Sequence, residues 1–285
     1  MKIVVFDLDE TLGYFVQYGI FWDCLNLYLS KNNTEQYEQL QQSDFINILD
    51  LYPEFLRPNI INILDYLKNK KQSQYCQKLM IYTNNQGHQN WTNYIVSYFE
   101  TKMNYKLFDK IISAFKVNGK RIEVCRTTSN KTYDDFIRCT MLPKNAEICY
   151  LDDTFYPEMM HESVYYINIK PYIHDLLFND LYDRFLESNI GKQLVSEAER
   201  EHFINFMGKN IKLYNFQEIK KDKEDYKIDT ILSKRILLHL HDFFGKTNNS
   251  HSSHNSHSSS KTKTLKKYYN NKAKNKSSKK TQIPK

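Results

Sequence analysis

An α/β fold, a parallel β-sheet flanked by helices, is the architecture this sequence predicts, and three observations lead to it. Residues 2–6 (KIVVF) form a short β-branched apolar run without polar alternation, as expected of a central parallel strand buried on both faces. Runs of the same character recur at 79–82 (LMIY), 147–151 (EICYL) and 164–168 (VYYIN), with a weaker one, KIIS, at 110–113. Helix-like segments over 57–70, 90–103 and 132–140 separate them. Strands that alternate with helical periods give right-handed βαβ units and a Rossmann-like sheet.

Taken in order, the first strand is followed by residues 13–56, rich in aromatics and Gln/Asn, partly helical in period (Phe45, Ile48, Leu49) and too long for an ordinary βα connection. They read as a small insertion near the crevice at the strand ends. The segment 57–70 opens on Arg57-Pro58. From 171 to 244 the pattern is helical, with Leu176, Leu177, Leu181 and Phe185 on one face and Ile228, Ile231, Leu232, Ile236, Leu237 and Leu240 on another. After Gly245 the composition turns to Ser, Asn, His and Lys without apolar periodicity, too little to offset chain entropy, so disorder is expected there. The predicted organisation is a core over 1–190, a helical extension over 191–245 packed on it, and a basic tail over 246–285.

Composition excludes several classes. Apolar residues make up 41% and charged residues 26% of the 285, and no apolar run reaches the length of a membrane span. The opening MKIVVFDLDE places acids where a secretory signal would be apolar, so an intracellular protein, cytoplasmic or nuclear, is expected. Five widely spaced cysteines, Cys24, Cys76, Cys125, Cys139 and Cys149, read as reduced thiols, without a CxxC pair for zinc or redox work. The formal charge is +7, yet eleven of the 40 basic residues lie beyond 245 with no acid, which leaves 29 bases against 33 acids and a net of −4 for the body. The tail, KTKTLKKYYNNKAKNKSSKK at its core, would bind a polyanion weakly through counterion release or serve in nuclear import; a merely solubilising end fits equally. His251, His254 and His257, spaced by three in its Ser-rich part, fit chance composition better than a metal site.

The residues that carry chemistry are Asp7, Asp9 and Thr11 in FDLDETL, immediately after the first strand, and Asp152 and Asp153 in ICYLDDT, after another. In an open parallel sheet, ligands bind beyond the carboxyl ends of the strands. If the two strands are neighbours, three or four carboxylates converge there. Such crowding of like charge calls for a cation, and a hard ion with oxygen ligands, Mg²⁺, suits it.

These motifs resemble those of the haloacid dehalogenase superfamily of phosphotransferases. DLDET is similar to its first motif, DxDx(T/V), and Asp152-Asp153 to its acidic fourth motif. Thr83 in MIYTNN matches the Thr or Ser that ends a strand, and Lys131 in SNKTYDDF the lysine of the third motif, with Lys116 and Lys120 as competitors for that place. The resemblance implies a Mg²⁺-dependent phosphatase in which Asp7 is the nucleophile that forms an aspartyl phosphate and Asp9 the acid and base. Thr11 would position Asp9. Thr83, Asn84 and Lys131 would bind the substrate phosphoryl group, and Asp7, Asp9 through its carbonyl, Asp152 and Asp153 would hold the metal.

Within that superfamily the chain is most similar to the NLI-interacting-factor-like and RNA polymerase C-terminal-domain phosphatases. The likeness rests on DLDETL, on Arg57-Pro58 before a helix, on Pro157 soon after the fourth motif and on His174-Asp175-Leu176-Leu177. It implies a phosphorylated protein, at Ser or Thr, as partner. The sequence departs from that branch at Asn84-Asn85 after Thr83, at Thr132-Tyr133 after Lys131 and at Asp153. TNNQG is similar instead to the turn of the histidinol-phosphatase and polynucleotide 3′-phosphatase branch, so a polynucleotide 3′-phosphate or a small phosphate ester is the alternative substrate. A non-catalytic binding protein on the same fold is the further alternative.

Overall fold

The computed structural model describes residues 1–32, 40–87, 90–143 and 145–245. The basic tail lies outside the described residues, so the expectation of disorder there is not addressed. The strands are β1 (Lys2–Phe6), β2 (Lys78–Tyr82), β3 (Lys110–Ile112), β4 (Lys116–Val117), β5 (Lys120–Arg121), β6 (Glu147–Asp152) and β7 (Val164–Asn168). The α-helices are α1 (Val16–Asn32), α2 (Gln42–Leu49), α3 (Ile60–Gln72), α4 (Trp91–Met103), α5 (Tyr133–Thr140), α6 (Phe178–Glu187), α7 (Asn189–Leu194), α8 (Arg200–Ile211) and α9 (Lys223–Gly245).

All five strands foreseen in the sequence pair in parallel, in the order β3-β2-β1-β6-β7. β1 is central, with Phe6 beside Ile81 of β2 and Leu151 of β6. Its side chains alternate between faces, as strand geometry requires. Ile3 and Val5 join Met80, Tyr82, Ile148 and Tyr150 under α5, while Val4 and Phe6 join Leu79, Ile81, Cys149 and Leu151 in the larger core under the other helices. The uniformly apolar strand runs follow from this double burial.

From β1 the chain moves outward through β2 to β3, then returns to place β6 on the other side of β1. The reversal opens a crevice between the carboxyl ends of β1 and β6, the place where such sheets bind ligands.

Residues 16–32 and 42–49, inside the aromatic-rich segment 13–56, are helices α1 and α2. Their Tyr18, Phe21, Trp22 and Phe45 belong to the main core. Tyr18 meets Phe45 edge-on at 5.1 Å, and Phe45 meets Trp91 of α4 at 5.3 Å. The same core continues without a break through Phe203 of α8 and Ile236, Leu240 and Phe243 of α9.

The sequence pattern and the structure part company in four places. Leu177 precedes α6 and is exposed, whereas Leu181 and Phe185 are buried as foreseen. Ile228 and Ile231 are 38% and 54% exposed, because the inward positions of the first half of α9 go to Asp229 and Ser233. Asp229 faces inward to pair with Lys221 and, at 3.3 Å, with Lys170, and an ion pair outweighs an apolar stripe there. The hairpin β4–β5 has no apolar signal of its own. Finally, Cys125 and Cys139 are joined as a disulfide, so they are not the reduced thiols that the cysteine spacing suggested; Cys24, Cys76 and Cys149 are free and buried. The loop after β5 folds against α5 and brings the two Cα atoms to 5.0 Å, within bridging range, a proximity that a separation of 14 residues does not reveal.

Candidate active site

Asp7 follows β1 directly, and its N–H donates to the Leu151 carbonyl at 2.8 Å, so the backbone pairing of β1 with β6 extends into the crevice. β6 ends on Asp152. Ligand atoms of Asp7, Asp152 and Asp153 all lie within 4.8 Å of one another. Three of the four acids foreseen from the two motifs therefore meet at one point, the switch point of the sheet, while the Asp9 side chain stands outside that cluster and is held by Asn85.

Lys131 enters from the far side of the sequence. It is the last residue before Thr132, whose side chain caps α5 by accepting from the Asp135 N–H. Its buried ammonium donates to Asp7 Oδ1 at 2.5 Å and to Asp152 Oδ2 at 2.7 Å. Lys116 and Lys120 instead stand exposed on the β4–β5 hairpin, so of the three candidate lysines Lys131 is the one in the crevice.

The loop after Asp7 doubles back on itself. Glu10 adopts φ 58°, in the left-handed region, held by a Glu10 N–H to Gly13 carbonyl bond of 2.8 Å. Gly13 lies so close to residue 55 that an added Cβ would sit 2.5 Å from the Phe55 carbonyl oxygen. Beneath the loop, the buried Arg57 donates to the Thr11 carbonyl at 2.6 Å, to the Glu10 carbonyl and to the Lys170 carbonyl at 2.9 Å. Arg57 thus anchors the loop from below.

Thr11 differs from expectation. Its hydroxyl donates to Asp153 Oδ1 at 3.1 Å and accepts the Asp153 N–H at 3.2 Å, so it orients Asp153, not Asp9. The partner of Asp9 is Asn85, whose amide donates to Oδ2 at 2.7 Å. Asn85 in turn is held by Thr83, which accepts the Asn85 N–H at 3.0 Å, and by Gly87, which donates to Asn85 Oδ1 at 2.9 Å. The buried Thr83 stands at the end of β2, and Asn84 donates to the Tyr156 hydroxyl at 3.1 Å. Asn168 fixes the acidic pair by donating to the carbonyls of Asp152 and Asp153, both at 3.1 Å.

Asn85 lies in the TNNQG turn but had no role assigned to it, and two further contributors have no motif to announce them: Tyr150, whose hydroxyl donates to Asp152, and Arg126.

Electrostatics define what the crevice would hold. Burial, first, and then the neighbouring carboxylates push Asp7 up to about 6 against the pull of Lys131, with Asp152 at about 6 as well. Burial likewise raises Asp9 and Asp153, and Glu10 reaches about 7. Lys131 stays protonated, since Asp7 and Asp152 together overcome the burial that opposes its charge. One ammonium against a cluster of acids leaves negative charge uncompensated, and every donor is an oxygen. Those features fit a hard divalent cation such as Mg²⁺ at Asp7, Asp152 and Asp153.

A pH dependence follows. A carboxyl whose folded pKa lies above its unfolded value of ~3.9 favours folding while protonated, and that stabilisation is lost as pH rises through the folded pKa. Without metal, the protein is expected to lose stability between about pH 4 and pH 7. Asp7 and Asp152, both raised by burial and by their neighbouring carboxylates, are the groups that carry this loss. Thermal denaturation in EDTA across that window checks it, and the fall should shrink in Asp7→Asn. A melting temperature that climbs from pH 5 to pH 7 equally in wild type and Asp7→Asn would show that the cluster is not under this strain.

No helix among the described residues is long and apolar enough to cross a membrane. Compared with protein-family models, with curated proteins and with solved structures, the chain finds no match.

Proposed function

We propose that this chain is a Mg²⁺-dependent phosphomonoester hydrolase that works through an aspartyl phosphate on Asp7, as its resemblance to haloacid dehalogenase phosphatases implies. The observation that supports the reading most is the placement of Asp7: a carboxylate at the sheet's switch point, paired with Lys131 at 2.5 Å and grouped with Asp152 and Asp153.

In this reading an Asp7 carboxylate oxygen attacks phosphorus in line. Asp9, kept protonated more readily by burial and aimed by Asn85, gives its proton to the leaving oxygen and later takes one from the attacking water. The Lys131 ammonium and the Thr83 hydroxyl bind the equatorial phosphoryl oxygens. Asp7, Asp152 and Asp153 would hold Mg²⁺, which when bound offsets the charge of the incoming phosphate. Arg57 and Thr11 keep the loop and Asp153 in register, as their contacts above describe.

Turnover of p-nitrophenyl phosphate tests the reading. Hydrolysis should require Mg²⁺ and vanish in EDTA. A phosphoserine peptide, a 3′-phosphorylated oligonucleotide and small sugar phosphates, assayed side by side, then assign the substrate, with the phosphopeptide expected to turn over fastest. Absence of hydrolysis on every substrate and with every divalent metal would leave the fold as a binding module and remove the proposed activity.

A further inference from the structure

Arg126 is fully buried, and its guanidinium reaches four backbone carbonyls. Nη1 donates to Thr83 at 3.1 Å and Ser113 at 2.8 Å, and Nη2 donates to Ser129 at 3.1 Å and Asn130 at 3.2 Å. The guanidinium also lies 4.8 Å from the centroid of the Tyr82 ring. Two of these carbonyls end β2 and follow β3, where the sheet presents Thr83. The other two precede Lys131. A planar fork whose Nη1 and Nη2 donors meet four acceptors sets one fixed distance between the two segments, a task that the point charge of a lysine performs less well.

The backbone of Arg126 is held in its turn. Cys125, the preceding residue, is bonded to Cys139 of α5, and Thr127, the following residue, gives Asp135 of α5 its N–H at 2.8 Å and its hydroxyl at 2.9 Å. The Thr132 N–H donates to the Tyr82 hydroxyl at 3.3 Å. The 125–132 segment is therefore fastened to α5 at both sides of Arg126, and one of the fastenings is a bond that thiols break.

We propose that Arg126 is a positioning residue that sets the spacing between Thr83 and Lys131, and that the Cys125–Cys139 disulfide holds it there, so that the crevice loosens when a dithiol reduces this bond. The inference rests on the reading of Thr83 and Lys131 as phosphoryl-binding groups. Its chemistry is thiol–disulfide exchange. One thiolate of the dithiol attacks a sulfur and breaks the Cys125–Cys139 bond, and the second closes the reagent into its own disulfide. Two electrons and two protons pass to the cysteine pair.

Hydrogen exchange followed by mass spectrometry, together with kinetics, separates this proposal from the proposed activity. In Arg126→Gln, exchange should quicken in both 83–87 and 127–131, and kcat should fall by about 10²-fold. Arg126→Lys should recover part of both. For the wild-type chain, alkylation should find Cys125 and Cys139 paired in oxidising buffer. Dithiothreitol should raise exchange over 125–132 and lower kcat, reoxidation should restore both, and Cys125→Ser/Cys139→Ser should behave as the reduced protein does with no response to the reagent. Exchange is read even in a chain without turnover, so loss of the proposed activity does not hide the result. The proposal is overturned if reduction leaves exchange at 125–132 and kcat unchanged, if both thiols are found free, or if folded Arg126→Gln matches wild type in exchange at both segments. Should Arg126→Gln fail to fold, the redox arm on the wild-type chain decides.

Discussion

Asp7→Asn is expected to end phosphomonoester turnover, with kcat lower by about 10⁴-fold or more, the scale of losing a nucleophile that acts with its partners as a unit. The amide has the volume of the carboxylate and still accepts from Lys131, so the crevice keeps its shape. It cannot donate the electron pair that an acyl phosphate needs. The same change should make the metal-free protein more stable at pH 7, because Asp7 is held near 6 by burial and an ionised group there is unfavourable. A variant that is inactive and yet melts higher in EDTA distinguishes a lost nucleophile from a damaged fold. Full turnover in Asp7→Asn would remove the mechanism.

Lys131→Met is the second large effect, and it acts on stability as well as on turnover. Lys131 is buried between Asp7 and Asp152 at 2.5 and 2.7 Å. Methionine keeps the length of the side chain and deletes the charge, which strands two buried carboxylates. Breaking a buried pair from one side costs about 3–5 kcal/mol. Urea denaturation in EDTA should show a loss of that order, and Mg²⁺ should restore part of it by compensating the same carboxylates. Turnover should be lost in either buffer. By contrast, Lys116→Ala and Lys120→Ala alter exposed side chains and should stay within about 0.5 kcal/mol of wild type. Equal stability of Lys131→Met and wild type in EDTA would show that the ammonium is not what neutralises the crevice.

The inner strands β1, β2 and β6 were legible because burial on both faces leaves a local mark, and the half-buried edge strand β7 because its run is equally apolar. The runs at 2–6, 79–82, 147–151 and 164–168 became β1, β2, β6 and β7 within a residue of their sequence limits, and the weak run at 110–113 became β3. The helix read over 132–140 is α5 with Thr132 as its cap, and within the aromatic segment 13–56 the helical spacing of Phe45, Ile48 and Leu49 became α2, whereas α1 is buried on most of its sides and carries no such stripe. Asp7 and Asp152 were visible as acids that end apolar strands.

What remained hidden has a common cause. That Lys131, and not Lys116 or Lys120, stands in the crevice follows from a contact between residues 124 apart, and Thr11 found Asp153 across 142 positions. Arg126 sits in a stretch with no periodicity, yet it ties four separate carbonyls together. Cys125 and Cys139 meet only because a loop packs on α5, and Ile228 and Ile231 face outward because Asp229 found two lysines. By itself, then, the sequence determined the parallel sheet and the two acidic strand ends, since periodicity and the burial of apolar runs are properties of neighbouring residues. The partners of each acid, the lysine that faces them and the pairing of the cysteines were decided by tertiary structure alone. Such contacts depend on how distant segments close on one another, and local composition carries no record of that closure.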